Sequence, residues 1–79
     1  MTRTDIFEKL NNLFAEVLDL ETVKLKETTT ASDVEGWDSL AHITLMSEVE
    51  DLFGVKFSMK TILTLKNVGE LVDAIEEAL

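Results

Sequence analysis

Apolar residues recur at helical spacing in three stretches of the chain. From Ile6 they fall at Ile6, Phe7, Leu10, Leu13, Phe14, Val17 and Leu18, which keeps them on one face of a 3.6-residue helix. With Thr4 or Asp5 as the cap and an acidic first turn, the pattern predicts a helix over about residues 4–19. A second stripe runs Leu40, Ile43, Met46, Val49 and Phe53, widened by Leu45 and Leu52. Asp38 stands at its N-cap position and Gly54 where a left-handed C′ residue belongs, so a helix is predicted over about 39–53. Val68, Leu71, Val72, Ile75 and Leu79 form the third stripe. Asn67 and Glu70, three apart, read as a capping-box pair opening a helix over about 68–78. Between the last two stripes, Met59, Ile62 and Leu63 follow the cap residue Ser58 and predict one short helix.

Residues 20–37 lack this rhythm. A connection of that length in a compact domain is commonly functional or disordered. Val23, Leu25, Val34 and Trp37 are the side chains available to pin it to a core, and a turn of helix fits within it. The expected fold is all-α: a small four-helix bundle of three longer helices and one short one, with a long loop between the first two. Seventy-nine residues without internal repeats suggest a single domain over residues 1–79.

Composition narrows the function. Sixteen acidic and seven basic side chains leave a net charge of −9. Nucleic acid is excluded as a partner, since phosphate contacts need Lys and Arg. Basic protein surfaces are favoured, approached by electrostatic steering. With 46% apolar and 29% charged residues, the chain is neither disordered nor a membrane span. Met1–Asp5 carries no apolar signal region, so a soluble cytoplasmic protein is expected; it is read as a monomer. Zero cysteines and one histidine leave little for a metal centre or a thiol nucleophile.

Enzyme motifs are missing too. There is no nucleophile elbow, Walker loop or dinucleotide fingerprint. A calcium loop counted from Asp33 meets Asp38 at its sixth position and Thr44 at its twelfth, where Gly and Glu belong. Ser39 and His42 share a helix face, but nothing orients them as a dyad. The reading is therefore a non-enzyme with no catalytic or metal-binding residue.

The junction Gly36-Trp37-Asp38-Ser39-Leu40 is the feature with chemical content. Asp38 caps, which puts Ser39 in the first turn among unpaired backbone N–H groups. A phosphate on that hydroxyl would lie at the positive end of the helix dipole. By themselves these residues read as an ordinary helix start.

The rest of the chain changes that reading, because nearly all of it resembles the acyl carrier protein family. The likeness lies in the long first helix, the long loop and Asp38-Ser39-Leu40 opening the second helix. It continues through Glu48-Val49-Glu50-Asp51-Leu52-Phe53-Gly54-Val55 and Asn67-Val68-Gly69-Glu70-Leu71-Val72. The resemblance implies covalent 4′-phosphopantetheine on Ser39, flanked by Asp38 and Leu40 and donated from coenzyme A by a phosphopantetheinyl transferase. It also implies that acyl- or aminoacyl-loading enzymes and acyltransferases or synthases with basic docking surfaces meet Glu48, Glu50 and Asp51 on the second helix. A chain without cysteine needs such an arm to carry a thioester. Phe7, Ile43, Met46, Ile62, Leu71 and Ile75 are candidates to face an acyl groove, although the same stripe reads as bundle core. Trp37 is expected to anchor the loop; an approach of protonated His42 to a phosphate on Ser39 is the lesser reading of that histidine.

The likeness is imperfect. Carriers of the main fatty-acid pathway bear acids two and five residues after the serine, where this chain has Ala41 and Thr44. The third-helix region, often acidic, reads Phe57-Ser58-Met59-Lys60-Thr61. These departures point to a specialised discrete carrier, as found beside polyketide, nonribosomal-peptide or surface-glycolipid enzymes. An aminoacyl or peptidyl carrier and an unmodified docking adaptor are the alternatives.

Overall fold

The computed structural model describes residues 1–79 and contains four α-helices and no strand. They are α1 (Arg3–Val17), α2 (Ser39–Phe53), α3 (Met59–Thr64) and α4 (Val68–Ala78), with a single 3₁₀ turn at Ala31–Asp33 inside the long loop. The expected all-α bundle is what forms, including the short third helix.

Caps set the boundaries. Helix α1 starts at Arg3, because Thr2 caps it instead of Thr4 or Asp5. The Thr2 hydroxyl accepts from Asp5 N–H, and Asp5 Oδ2 accepts from Thr2 N–H at 3.0 Å. Its C-terminus falls short of residue 19, where Asp19 takes a left-handed conformation (φ 55°) and Leu20 N–H returns to Ala15 C=O. Helix α2 keeps both expected ends. Asp38 Oδ1 accepts from Ala41 N–H at 2.8 Å, and Gly54 (φ 68°) closes the other end without steric cost. Ser58 caps α3 by accepting from Thr61 N–H.

The start of α4 is built differently from the expected box. Asn67 Oδ1 accepts from Glu70 N–H at 2.9 Å, but the Glu70 carboxylate reaches back to Lys66 N–H, not to Asn67. The next two orphan donors are met by the loop. Val68 N–H donates to Thr29 C=O at 2.8 Å and Gly69 N–H to Glu27 C=O at 2.9 Å.

Fifteen buried apolar residues make one core. Helix α1 supplies Ile6, Leu10 and Phe14, α2 supplies Leu45, Met46, Val49 and Phe53, and α4 supplies Val68, Leu71, Val72 and Ile75. The loop is held as expected: Leu25 and Trp37 are buried, with Val23 and Val34 packed beside them. Asn11 Oδ1 adds a tie from α1 by accepting from Leu25 N–H at 2.8 Å. One expectation fails on α2. Leu40, Ile43 and Leu52 belong to its apolar stripe but lie exposed.

Candidate functional site

Ser39 is the first residue of α2 and is exposed. Asp38, capping through Ala41 N–H, fixes the direction in which the helix leaves the loop. The Ser39 hydroxyl bonds no other group of the protein, and neither do the N–H groups of Ser39 and Leu40. An anionic group esterified there meets free donors and the positive helix end. Asp38 contributes by shaping this turn; its charge lies on the cap bond.

Beside Ser39 opens a cleft of about 470 Å³ between the loop, α2, the α3–α4 connection and α4. Trp37, Ile43, Met46, Leu63, Leu65 and Leu71 form its apolar wall, while Ser32, Asp38, Lys66 and Asn67 mark its polar side. Of the six groove candidates, Ile43, Met46 and Leu71 line this cleft, and Phe7, Ile62 and Ile75 do not. Leu40 is also outside its wall, directed to solvent beside Ser39.

Trp37 and His42 set the floor. The Trp37 indole packs edge-on to Phe14 at 4.9 Å between centroids, the anchoring role expected of it. Its Nε1–H donates to His42 Nδ1 at 3.0 Å, with the two rings nearly coplanar at 21°. An accepting Nδ1 puts the ring proton on Nε2, which donates to Ile62 C=O at 2.8 Å. Both ring nitrogens are therefore engaged within the fold. The expectation that His42 approaches a phosphate on Ser39 is corrected accordingly, and no Ser–His dyad forms.

The three acidic candidates separate. Glu48 and Asp51 are exposed on the second half of α2. Glu50 is half-buried, and its Oε2 accepts from Phe57 N–H at 2.7 Å, holding the α2–α3 connection. Sequence reasoning also missed Arg3. Its guanidinium donates to Glu27, Glu76 and Gly69 C=O and pairs with Asp73, joining α1, the loop and α4. No local pattern signals this, because the partners lie far along the chain.

A family model described as a phosphopantetheine attachment site matches residues 8–75. The chain belongs to the acyl carrier protein family. It is 35% identical to the acyl carrier protein of Coprothermobacter proteolyticus, an alignment covering all of this chain and 96% of that one. It is 31% identical to that of Thermotoga maritima, covering 99% of this chain and 96% of the other. The solution structure of the holo acyl carrier protein from Geobacter metallireducens superposes with a TM-score of 0.83 at 33% identity. That match covers 91% of this chain and 83% of that one. Members of this family are carriers and not enzymes, and 4′-phosphopantetheine is their covalently attached group. No helix of the chain is long and apolar enough to cross a membrane.

Proposed function

We propose that this acyl carrier protein bears its 4′-phosphopantetheine on Ser39 and presents thioester-linked acyl groups to successive enzymes. The observation carrying this reading is an exposed hydroxyl at the first position of α2, beside unpaired N–H donors and an apolar cleft. In loading, the Ser39 hydroxyl gives its proton to a base of the transferase as its oxygen bonds the phosphorus that bears pantetheine. The pyrophosphate P–O bond of coenzyme A breaks and adenosine 3′,5′-bisphosphate is released. The arm's phosphodiester then sits at the helix N-terminus, where one negative charge is favoured. The apolar wall of the cleft offers the acyl chain a surface away from water.

The absence of acids at Ala41 and Thr44 favours a specialised pathway over housekeeping fatty-acid synthesis. Exposed Glu48 and Asp51 favour a basic patch on the partner opposite the second half of α2. Incubation with coenzyme A, magnesium and a promiscuous phosphopantetheinyl transferase tests the assignment by intact mass. The chain is expected to gain one phosphopantetheine and Ser39→Ala none. A chain that stays unloaded, or loads at another residue, overturns it.

A further inference from the structure

The polar side chains around the cleft beside Ser39 are nearly all committed within the fold. Asp38 accepts from Ala41 N–H, and the hydroxyls of Ser32 and Thr30 bond each other at 3.0 Å. Trp37 Nε1 and both ring nitrogens of His42 are taken up by one another and by Ile62 C=O. Apart from the Ser39 hydroxyl, two side-chain donors at the cleft are left over, the Lys66 ammonium and the Asn67 amide. Lys66 is exposed, a hydrated point charge on a flexible stem. Asn67 is half-buried and held in place.

What holds it is the start of α4. Glu70 N–H donates to Asn67 Oδ1 at 2.9 Å, which identifies the oxygen of the amide and makes the other branch the NH₂. That Nδ2 atom bonds no group of the chain. Every buried side-chain nitrogen and oxygen has a partner, so Nδ2 is open to solvent. One branch of the amide is therefore fixed by the cap, and the other offers two N–H donors at the margin of the cleft. Capping needs only the oxygen. Ser and Asp cap as well as Asn does, and neither brings an amide N–H.

Charge near the amide decides which acceptor suits it. The Glu70 carboxylate accepts from Lys66 N–H at 2.9 Å, and Asp38 borders the same cleft. Two carboxylates against one exposed lysine disfavour an anion and leave a neutral oxygen as the partner. The wall of Ile43, Met46, Leu63 and Leu71 suits methylene groups. An all-methylene chain laid on that wall would cover the amide and strand its N–H groups, whereas a chain bearing a carbonyl or hydroxyl oxygen would satisfy them. Stranding a donor corresponds to about fivefold or more in occupancy.

We infer that Asn67 is a specificity residue for the cargo: its amide donates to a neutral oxygen of the acyl group, so the cleft favours oxo- or hydroxyacyl chains over saturated ones. This deepens the carrier reading and rests on loading at Ser39. The amide carbonyls of the pantetheine arm offer the same acceptor chemistry, and the experiment separates them from the cargo.

The chain is loaded by a promiscuous phosphopantetheinyl transferase from coenzyme A, hexanoyl-coenzyme A and 3-oxohexanoyl-coenzyme A in turn. Each product is read by the ¹⁵N–¹H resonances of the Asn67 NH₂ and by its melting temperature. In the 3-oxohexanoyl form the NH₂ protons are expected downfield of their positions in the thiol and hexanoyl forms. That form is also expected to melt about 2 °C or more above the hexanoyl form. Asn67→Ser and Asn67→Asp both keep a cap and remove the donor. Both are expected to load on Ser39 and to lose the melting difference between the two acyl forms. Equal NH₂ shifts in the two acyl forms, or a melting difference that persists in both variants, overturns the inference and leaves Ser39 as the attachment site. A shift already complete in the thiol form gives the donor to the arm and overturns it as well. Failure of the unaltered chain to load defeats the Ser39 assignment and this inference together.

Discussion

Two hydrogen bonds on the His42 ring join the end of the loop, the start of α2 and the last turn of α3. Trp37 Nε1–H has its acceptor there, and Ile62 C=O has its donor. The ring is thus a structural bracket beneath Ser39. Replacing His42 with Phe strands a part-buried indole N–H and a carbonyl, costing about 1–3 kcal/mol. The expected result is a lower urea midpoint and altered Trp37 emission, with Ser39 still able to be loaded. An unchanged midpoint would show that the bracket contributes nothing. The same scale explains Glu50, whose half-buried carboxylate is tied to Phe57 N–H. Its neighbours Glu48 and Asp51 stay exposed.

At the scale of elements, the loop and α4 approach each other closely at Gly69. A Cβ built on Gly69 would lie 2.7 Å from Glu27 C=O and 2.8 Å from its carboxylate. Gly69 φ is not the reason for glycine here; space is. Helix propensity favours Ala over Gly by about 1 kcal/mol. The steric cost wins, because Glu27 C=O is backbone and also accepts from Gly69 N–H. Shifting it breaks a cap of α4 and disturbs the carboxylate that holds Arg3. Gly69→Ala is therefore expected to destabilise by about 1–3 kcal/mol, the usual range for overpacking. Each kcal/mol lowers the melting temperature by about 4–8 °C in a domain of this size. A melting temperature equal to or above that of the parent chain would contradict the packing argument.

For the whole molecule, charge sets how stability responds to salt and acid. Sixteen acidic side chains against seven basic ones repel each other in the compact state. Salt screens that repulsion and also weakens the Arg3 pairs. Those pairs are partly exposed, with Arg3 at 32%, and such bridges contribute only about 0–1 kcal/mol each. Screening of the larger repulsion should win, so sodium chloride is expected to raise the melting temperature; a fall would mean that the Arg3 network dominates. Acid acts in the opposite direction on particular groups. The Arg3 guanidinium holds Glu27 below its ordinary value of 4.5, and the Thr2 N–H and hydroxyl hold Asp5 below 3.8. A carboxylate depressed by folding stabilises above its unfolded value, and that stabilisation is lost as pH falls through the folded value. Glu27→Gln is accordingly expected to be less stable than the parent near neutrality, with the gap closing below about pH 4.5. A gap independent of pH would exclude the Arg3–Glu27 pair as its cause.

Short-range rules made much of this protein legible from its residues. Helical periodicity and caps such as Asp38, Gly54 and Ser58 act within a turn or two of their own position, so four helices and the place of Ser39 followed from neighbours alone. The α1 cap lies two or three residues before the expected Thr4 or Asp5, and the Glu70 contact one residue before Asn67, since several adjacent groups can fill the same role. Tertiary structure decided what depends on distant partners. It assigned Arg3 to Glu27 and α4, turned His42 inward to Trp37 and Ile62, and drew Glu50 onto Phe57. It also determined that Leu40 and Ile43 remain uncovered although they continue a buried stripe. Burial depends on which parts of the chain pack over each position, and no spacing along one segment encodes that.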